Sequence, residues 1–188
     1  MTDKKTFLSP KSLILCALFS ALIAVGAFIK IPIPFVPFTL QFLFTTLAGL
    51  LLGSKLGAIS VGVYIVIGLL GIPVFTHGGG IGYVLQPTFG YIIGFCIGTY
   101  TTGRIAESVA FPSFGRLLVA SFAGLGVVYL FGMVYYYFLA NYYMNSPISV
   151  WALILYCFIL AVPGDIAICF ASANISKKIR PLLKREEG

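Results

Sequence analysis

Charge is what this chain has least of. Its 188 residues include five Asp and Glu, twelve Lys and Arg and one His, so only 9% are charged, against about a quarter in an ordinary soluble domain. That is too little to cover a surface in water, which excludes a secreted domain, a cytosolic enzyme and a disordered tail together. Cysteines are sparse and scattered: Cys16, Cys96, Cys157 and Cys169 form no C-x-x-C pair and have no His beside them. They read as packing residues rather than disulfides or metal ligands. The lone His77 has no second ligand at coordinating spacing, so no metal is expected. Phosphate loops are missing too. GLLLGSK (49–55) falls one residue short of the Walker spacing, and HGGGIG (77–82) lacks both the G-x-G-x-x-G spacing and a preceding strand. No Ser–His–Asp or Cys–His set can be assembled, so no enzyme, no catalytic residue and no cofactor are expected. The net charge of +7 is not gathered on one face, which argues against a nucleic-acid partner.

Apolar residues are what remain. They make up 60% of the chain at a mean hydropathy of +1.05, and a bilayer span takes about 20 residues. The runs predict an all-α integral membrane protein, a single transmembrane domain over 1–188. Six helices are expected, near 12–29, 39–52, 56–70, 89–102, 117–139 and 150–173. The Pro-rich IPIPFVP (31–37) ends the first, Gly53-Ser54-Lys55 turns between the second and third, and GIPVFTHGGGIGYVLQPT (71–88) is a long loop before the fourth. With the N-terminus inside, Lys4, Lys5, Lys11, Lys55, Arg104, Arg116, Lys177, Lys178, Arg180, Lys184 and Arg185 are all cytoplasmic, and only Lys30 faces out. That bias predicts cytoplasmic termini for a multi-pass plasma-membrane protein whose loop 71–88 opens to the outside.

Few residues in such a chain can recognise a ligand. Asp165 is the only acid within a predicted span, a costly position whose default explanation is function, and Pro163-Gly164 before it can interrupt the helix. Gln41 lies near the outer end of the second helix. It shares that side of the membrane with Phe75, Tyr83, Gln86 and Thr88 of the loop and with Tyr91 of the fourth helix. Gly78, Gly79 and Gly80 free the backbone to approach a ligand, and Thr88 is placed to cap the fourth helix. Small residues recur every fourth position at Gly49, Gly53 and Gly57, at Gly90, Gly94 and Gly98, and at Ala17 and Ala21, which permits close helix approach in lipid. No repeat links the first three spans to the last three, so an inverted-repeat secondary transporter is not supported.

The run IPIPFVPFTLQFLFTTLAGLLLGSKLGAISVGVYIVIGLLGIPVFTHGGGIGYVLQPTFGYIIGF (31–95), with VPGD (162–165) and Ala17-xxx-Ala21, resembles the BioY family, the biotin-binding S-components of energy-coupling factor (ECF) transporters. The resemblance implies the six-helix S-component fold and capture of biotin from outside. It also implies partnership with a transmembrane coupling protein and two ATP-binding cassette ATPases, the coupling protein docking on Ala17 and Ala21. A biotin-related vitamin or precursor, or a secondary transporter working without ATPases, is the alternative. Many relatives carry a Lys three residues after the Asp of the PGD motif, to meet the ligand carboxylate; this chain has Ile168. The loop amides, the start of the fourth helix near Thr88 and Lys30 are left for that task.

Overall fold

The computed structural model describes residues 9–32 and 35–185, with side chains through Leu183. Lys4, Lys5, the side chains of Lys184 and Arg185, and positions 33–34 of the Pro-rich segment lie outside it. Ser9 accepts a hydrogen bond from the Ser12 amide at 3.2 Å and Pro10 fills the first turn, so helix α1 (Pro10–Phe28) starts with its free donors partly answered. A two-stranded antiparallel ribbon follows, β1 (Lys30–Ile31) with β2 (Phe38–Thr39), in register Lys30 to Thr39 and Ile31 to Phe38.

Helix α2 (Gln41–Leu69) breaks once, at Gly53, whose φ of 83° and ψ of −178° belong to glycine alone. Its two halves, 41–52 and 54–69, fold back on each other. Gln41 reaches Tyr64, and the Ala48 carbonyl lies 2.9 Å from where a Cβ on Gly57 would be. The sequence predicts two helices with a three-residue turn; the reversal needs one residue. Glu107 clamps it, its carboxylate accepting from the Ser54 amide at 2.9 Å and from the Ser54 hydroxyl at 2.6 Å. An anion there meets the free amides at the start of a helical segment.

Loop 71–88 carries a short 3-10 helix (Ile81–Leu85) and leads into α3 (Phe89–Glu107), which runs a turn beyond the expected 102. Helix α4 (Phe114–Tyr142) also exceeds its expected bounds. The last segment, expected as one helix, is broken into α5 (Val150–Ile154), a π-helical turn (Leu155–Ile159) and α6 (Val162–Arg185). Helix α3 lies between α2 and α4, α1 packs on α2, and α6 packs on α2 and α4. The recurring glycines sit in these seams: a Cβ on Gly94 or Gly98 would press on the α4 backbone at 2.9 Å, and one on Gly49 would meet the Thr99 carbonyl at 2.6 Å. The largest buried apolar cluster joins Tyr64, Phe75, Ile92, Phe95, Val128 and Tyr129. Among the described residues, four helical stretches are long and apolar enough, by length and composition, to cross a membrane: Pro10–Phe28, Gln41–Leu69 taken through its break, Phe114–Tyr142 and Val150–Leu183.

Gly53→Ala should cost about 1–3 kcal/mol, because alanine is strained at that φ and its Cβ would lie 2.6 Å from Glu107 Oε2. Thermal unfolding of the detergent-purified chain measures it, and a midpoint equal to the parent's would show that the reversal does not depend on glycine.

Candidate ligand-binding site

The ribbon, the loop before α3 and the break before α6 meet around one cavity. Its walls come from Val36–Thr39 beside and in β2, Gln41 and Phe42 at the start of α2, Thr76 of the loop, and Thr88, Tyr91, Ile92 and Phe95 at the start of α3. Leu125, Val128 and Tyr129 of α4, Cys157 of the π-helical turn, Ala161 and Asp165 complete it, around about 610 Å³ of space, part of it open to solvent. Mostly apolar walls with a few convergent polar groups are the usual make-up of a small-molecule site. A second, wider groove between α4 and α5, lined by Leu130, Met133, Val134, Phe138 and Leu153 among others, has no acid, amide or base in its walls.

The PGD triplet shows why these residues occupy the start of α6. Pro163 sits in the first turn, where its missing amide costs nothing. The Phe38 ring lies 2.6 Å from where a Cβ on Gly164 would be, so only glycine lets β2 close over the helix. Asp165 then faces the cavity, buried, with its carboxylate Oδ2 accepting from the Tyr129 hydroxyl at 2.5 Å. At the first turn of a helix the carboxylate also meets the positive end of the dipole. Gln41 is held from both sides: its Nε2 donates to the Tyr64 hydroxyl at 2.6 Å and its Oε1 accepts from Thr39 Oγ1 at 3.2 Å. Tyr64 in turn donates to the Val74 carbonyl at 3.2 Å, which ties the amide to loop 71–88. Tyr91 points its hydroxyl at the Cys157 carbonyl, 3.4 Å away.

Four residues singled out in the sequence, Gln41, Thr88, Tyr91 and Asp165, line this one cavity. The others lie off its walls. Phe75 is fully buried beneath the loop, its ring filling the place of a Gly68 side chain and packed on Tyr64 and Tyr83 at centroid distances of 5.3 and 4.5 Å. Gly78 pairs with Phe75 through reciprocal backbone bonds of 2.9 and 3.2 Å, and the Gly80 amide donates to Gly68 at 2.7 Å. Gly79 leaves room for the Ile72 carbonyl, and Gln86 is exposed. These glycines fold the loop down onto its anchor. Thr88 stands at the N-cap of α3, but its side chain does not cap; the Thr88 and Tyr83 hydroxyls bond to each other at 2.9 Å. Ile168 is buried in the apolar cluster and does not line the cavity. His77 is exposed, and partial desolvation of its ring together with the neighbouring Lys30 charge pushes its pKa down from the ordinary imidazole value. Among the described residues no group of three His, Cys, Asp or Glu could hold a metal.

Tyr129, Thr39, Thr76 and Phe38 are site residues that the sequence alone does not mark. Tyr129 is one of eleven tyrosines and lies in an apolar run with nothing local to distinguish it. Its partner is 36 positions away.

Apolar helices packed around one partly polar cavity define the chain as a multi-pass membrane protein with a small-molecule site. It matches the BioY family over residues 1–185 and belongs to that family. It is 46% identical over 171 residues to the probable biotin transporter BioY of Lysinibacillus sphaericus, covering 91% of this chain and 87% of that one. It is 40% identical to the biotin transporter BioY of Thermotoga maritima, over 72% of this chain and 78% of the other. Among solved structures, the S-component for biotin from an ECF-type ABC transporter superposes with a TM-score of 0.77 at 30% identity, over 91% of both chains. These are transport proteins and not enzymes.

Proposed function

We propose that this chain is the substrate-binding membrane subunit of an ECF transporter and captures biotin from outside for ATP-driven uptake by partner proteins. The observation that carries the reading is the pairing of Asp165 and Tyr129 with the Gln41 amide in one cavity of otherwise apolar and aromatic walls. Biotin offers two ureido N–H donors, a ureido carbonyl, an apolar sulfur ring and an aliphatic tail ending in a carboxylate. Asp165 accepts from the ureido N–H groups. Gln41 retains a second N–H for the carbonyl, since its bond to Tyr64 uses one of two. Phe38, Tyr91 and Phe95 shape the slot for the ring. Tyr83, engaged with Thr88, and Phe75 act one layer behind, with Gly78, Gly79, Gly80 and Gln86, by setting the loop that closes the cavity.

Each half of α2, together with α1, α3, α4 and the broken last segment, makes one crossing, giving six with both termini in the cytoplasm. The distribution of Lys and Arg supports this orientation. Exposed Ala17 and Ala21 lie beside exposed Leu13, Ile14 and Leu18 on α1, a small-residue apolar stripe suited to close approach by a coupling-protein helix. The two ATPases supply the hydrolysis for which this chain has no phosphate loop.

Equilibrium binding of labelled biotin to the purified chain, with competition by other vitamins, tests the ligand. Asp165→Asn should weaken binding by about 1–3 kcal/mol, through loss of charge assistance and the gain of a donor facing the ligand's own donors. Unchanged affinity in a folded variant removes Asp165 from the site. Ala17→Trp or Ala21→Trp should abolish uptake in cells holding the complete module yet leave binding by the isolated chain intact; surviving uptake means that the docking face lies elsewhere. With the four native cysteines replaced by alanine, Ile81→Cys should react with an impermeant thiol reagent on whole cells and Lys178→Cys should not. The reverse pattern would invert the orientation.

A further inference from the structure

The cavity has a buried negative group and no positive one. Among its lining residues Asp165 is charged and none is Lys, Arg or His. A ligand whose one end donates hydrogen bonds to Asp165 and whose other end is a carboxylate would bring a second anion into a space whose walls offer that anion only partial charges. Such partial charges hold an anion less strongly than a full ammonium does. A full positive charge must come from beyond the wall, and the fold brings one to it.

Lys30 touches the cavity wall twice over. Its backbone lies across the ribbon from Thr39, and its ammonium donates to the Thr76 carbonyl at 3.1 Å. Both Thr39 and Thr76 line the cavity. The ammonium has three N–H donors, and Thr76 takes one. The residue is exposed, so the other donors are open to solvent rather than held in the core. The arginines with described side chains and the two lysines of α6 are remote. Arg104, Arg116 and Arg180 all bond to residues 105–108 at the far end of α3. Thr88 and Tyr91 line the cavity at its near end. A helix of 19 residues is about 28 Å long at a rise of 1.5 Å per residue. Lys177 and Lys178 stand at least twelve positions past Asp165 along α6, which is about 18 Å. Ile168 places no charge beside Asp165, and it faces the apolar cluster.

We propose that Lys30 is the carboxylate-binding residue of this site: with its ammonium on the Thr76 carbonyl, it receives the ligand's anionic tail at the mouth while Asp165 holds the donor end below. The inference rests on the biotin reading given above. It makes Lys30 the residue that sets specificity for the acid over its neutral derivatives. It also explains how one side chain joins two closing segments: Lys30 belongs to the ribbon and Thr76 to the loop, so a carboxylate bound between them ties both over the ligand.

Equilibrium binding of biotin and of biotin carboxamide, which keeps the ring and tail but lacks the charge, tests this on the purified unmodified chain and on Lys30→Met and Lys30→Arg. The unmodified chain should favour biotin by about tenfold, equivalent to 1.4 kcal/mol, and the preference should narrow as ionic strength rises. Lys30→Met should bring the two ligands within about twofold by losing affinity for biotin while the carboxamide is unaffected, and Lys30→Arg should retain most of the preference. A purely structural clasp between Lys30 and Thr76 predicts instead that both ligands weaken equally in Lys30→Met, which would overturn the proposal, as would an unchanged ratio. If the methionine variant does not fold, the salt dependence of the ratio in the unmodified chain decides alone. Equal binding of the two ligands by the unmodified chain overturns the role of Lys30 while the biotin reading stands. Binding of neither overturns that reading and this inference with it.

Discussion

The Gln41 side of the site depends on the reversal at Gly53. Because one residue with positive φ turns the chain through a hairpin, Gln41 at the start of α2 comes to lie beside Tyr64, twenty-three positions later. Tyr64 then orients the Gln41 amide and anchors the loop through Val74. A straight α2 would separate Gln41 from Tyr64 by about 35 Å at 1.5 Å per residue, and the Gln41 amide would lose the partner that orients it. The clamp by Glu107 shows how such a turn is stabilised at the end of the bundle. An acid from α3 satisfies both the amide and the hydroxyl of Ser54, so the break leaves fewer unanswered donors.

The second requirement is the lone carboxylate. Taking an acid out of water inside a membrane protein is costly enough to need compensation, and here the Tyr129 hydroxyl and the first turn of α6 supply it. Neither completes the coordination of a carboxylate, which has about four acceptor positions. Asp165 lines the cavity, so a ligand with paired N–H donors can use acceptor positions that the Tyr129 hydroxyl leaves open.

How much of this was legible without coordinates follows from the range over which each signal acts. Asp165 was visible because a charge in an apolar run is anomalous in itself, and Gln41, Thr88 and Tyr91 because polar residues at helix starts share one side of a membrane. The glycine loop was legible as unusual but not in its purpose. Phe75 and the backbone of Gly78 and Gly80 close the loop on Gly68, while Thr76 alone from 71–80 reaches the cavity wall. Periodicity also could not see that the last span breaks into α5, a π-helical turn and α6, since apolar residues run through 150–162 without interruption. Tyr129 was invisible for the opposite reason: a hydroxyl among tyrosines on an apolar helix gains meaning only from an acid on another helix.

The site sits where regular helix stops. The ribbon between α1 and α2, the loop before α3, the π-helical turn and the start of α6 each contribute wall residues, and each is a place where backbone geometry departs from the α-helix. In lipid an uninterrupted helix satisfies its backbone internally and presents only side chains, so polar recognition has to be built at interruptions that are themselves covered by protein. A ligand that contacted the ribbon, the loop and α6 together would therefore be recognised through segments that no single helix joins.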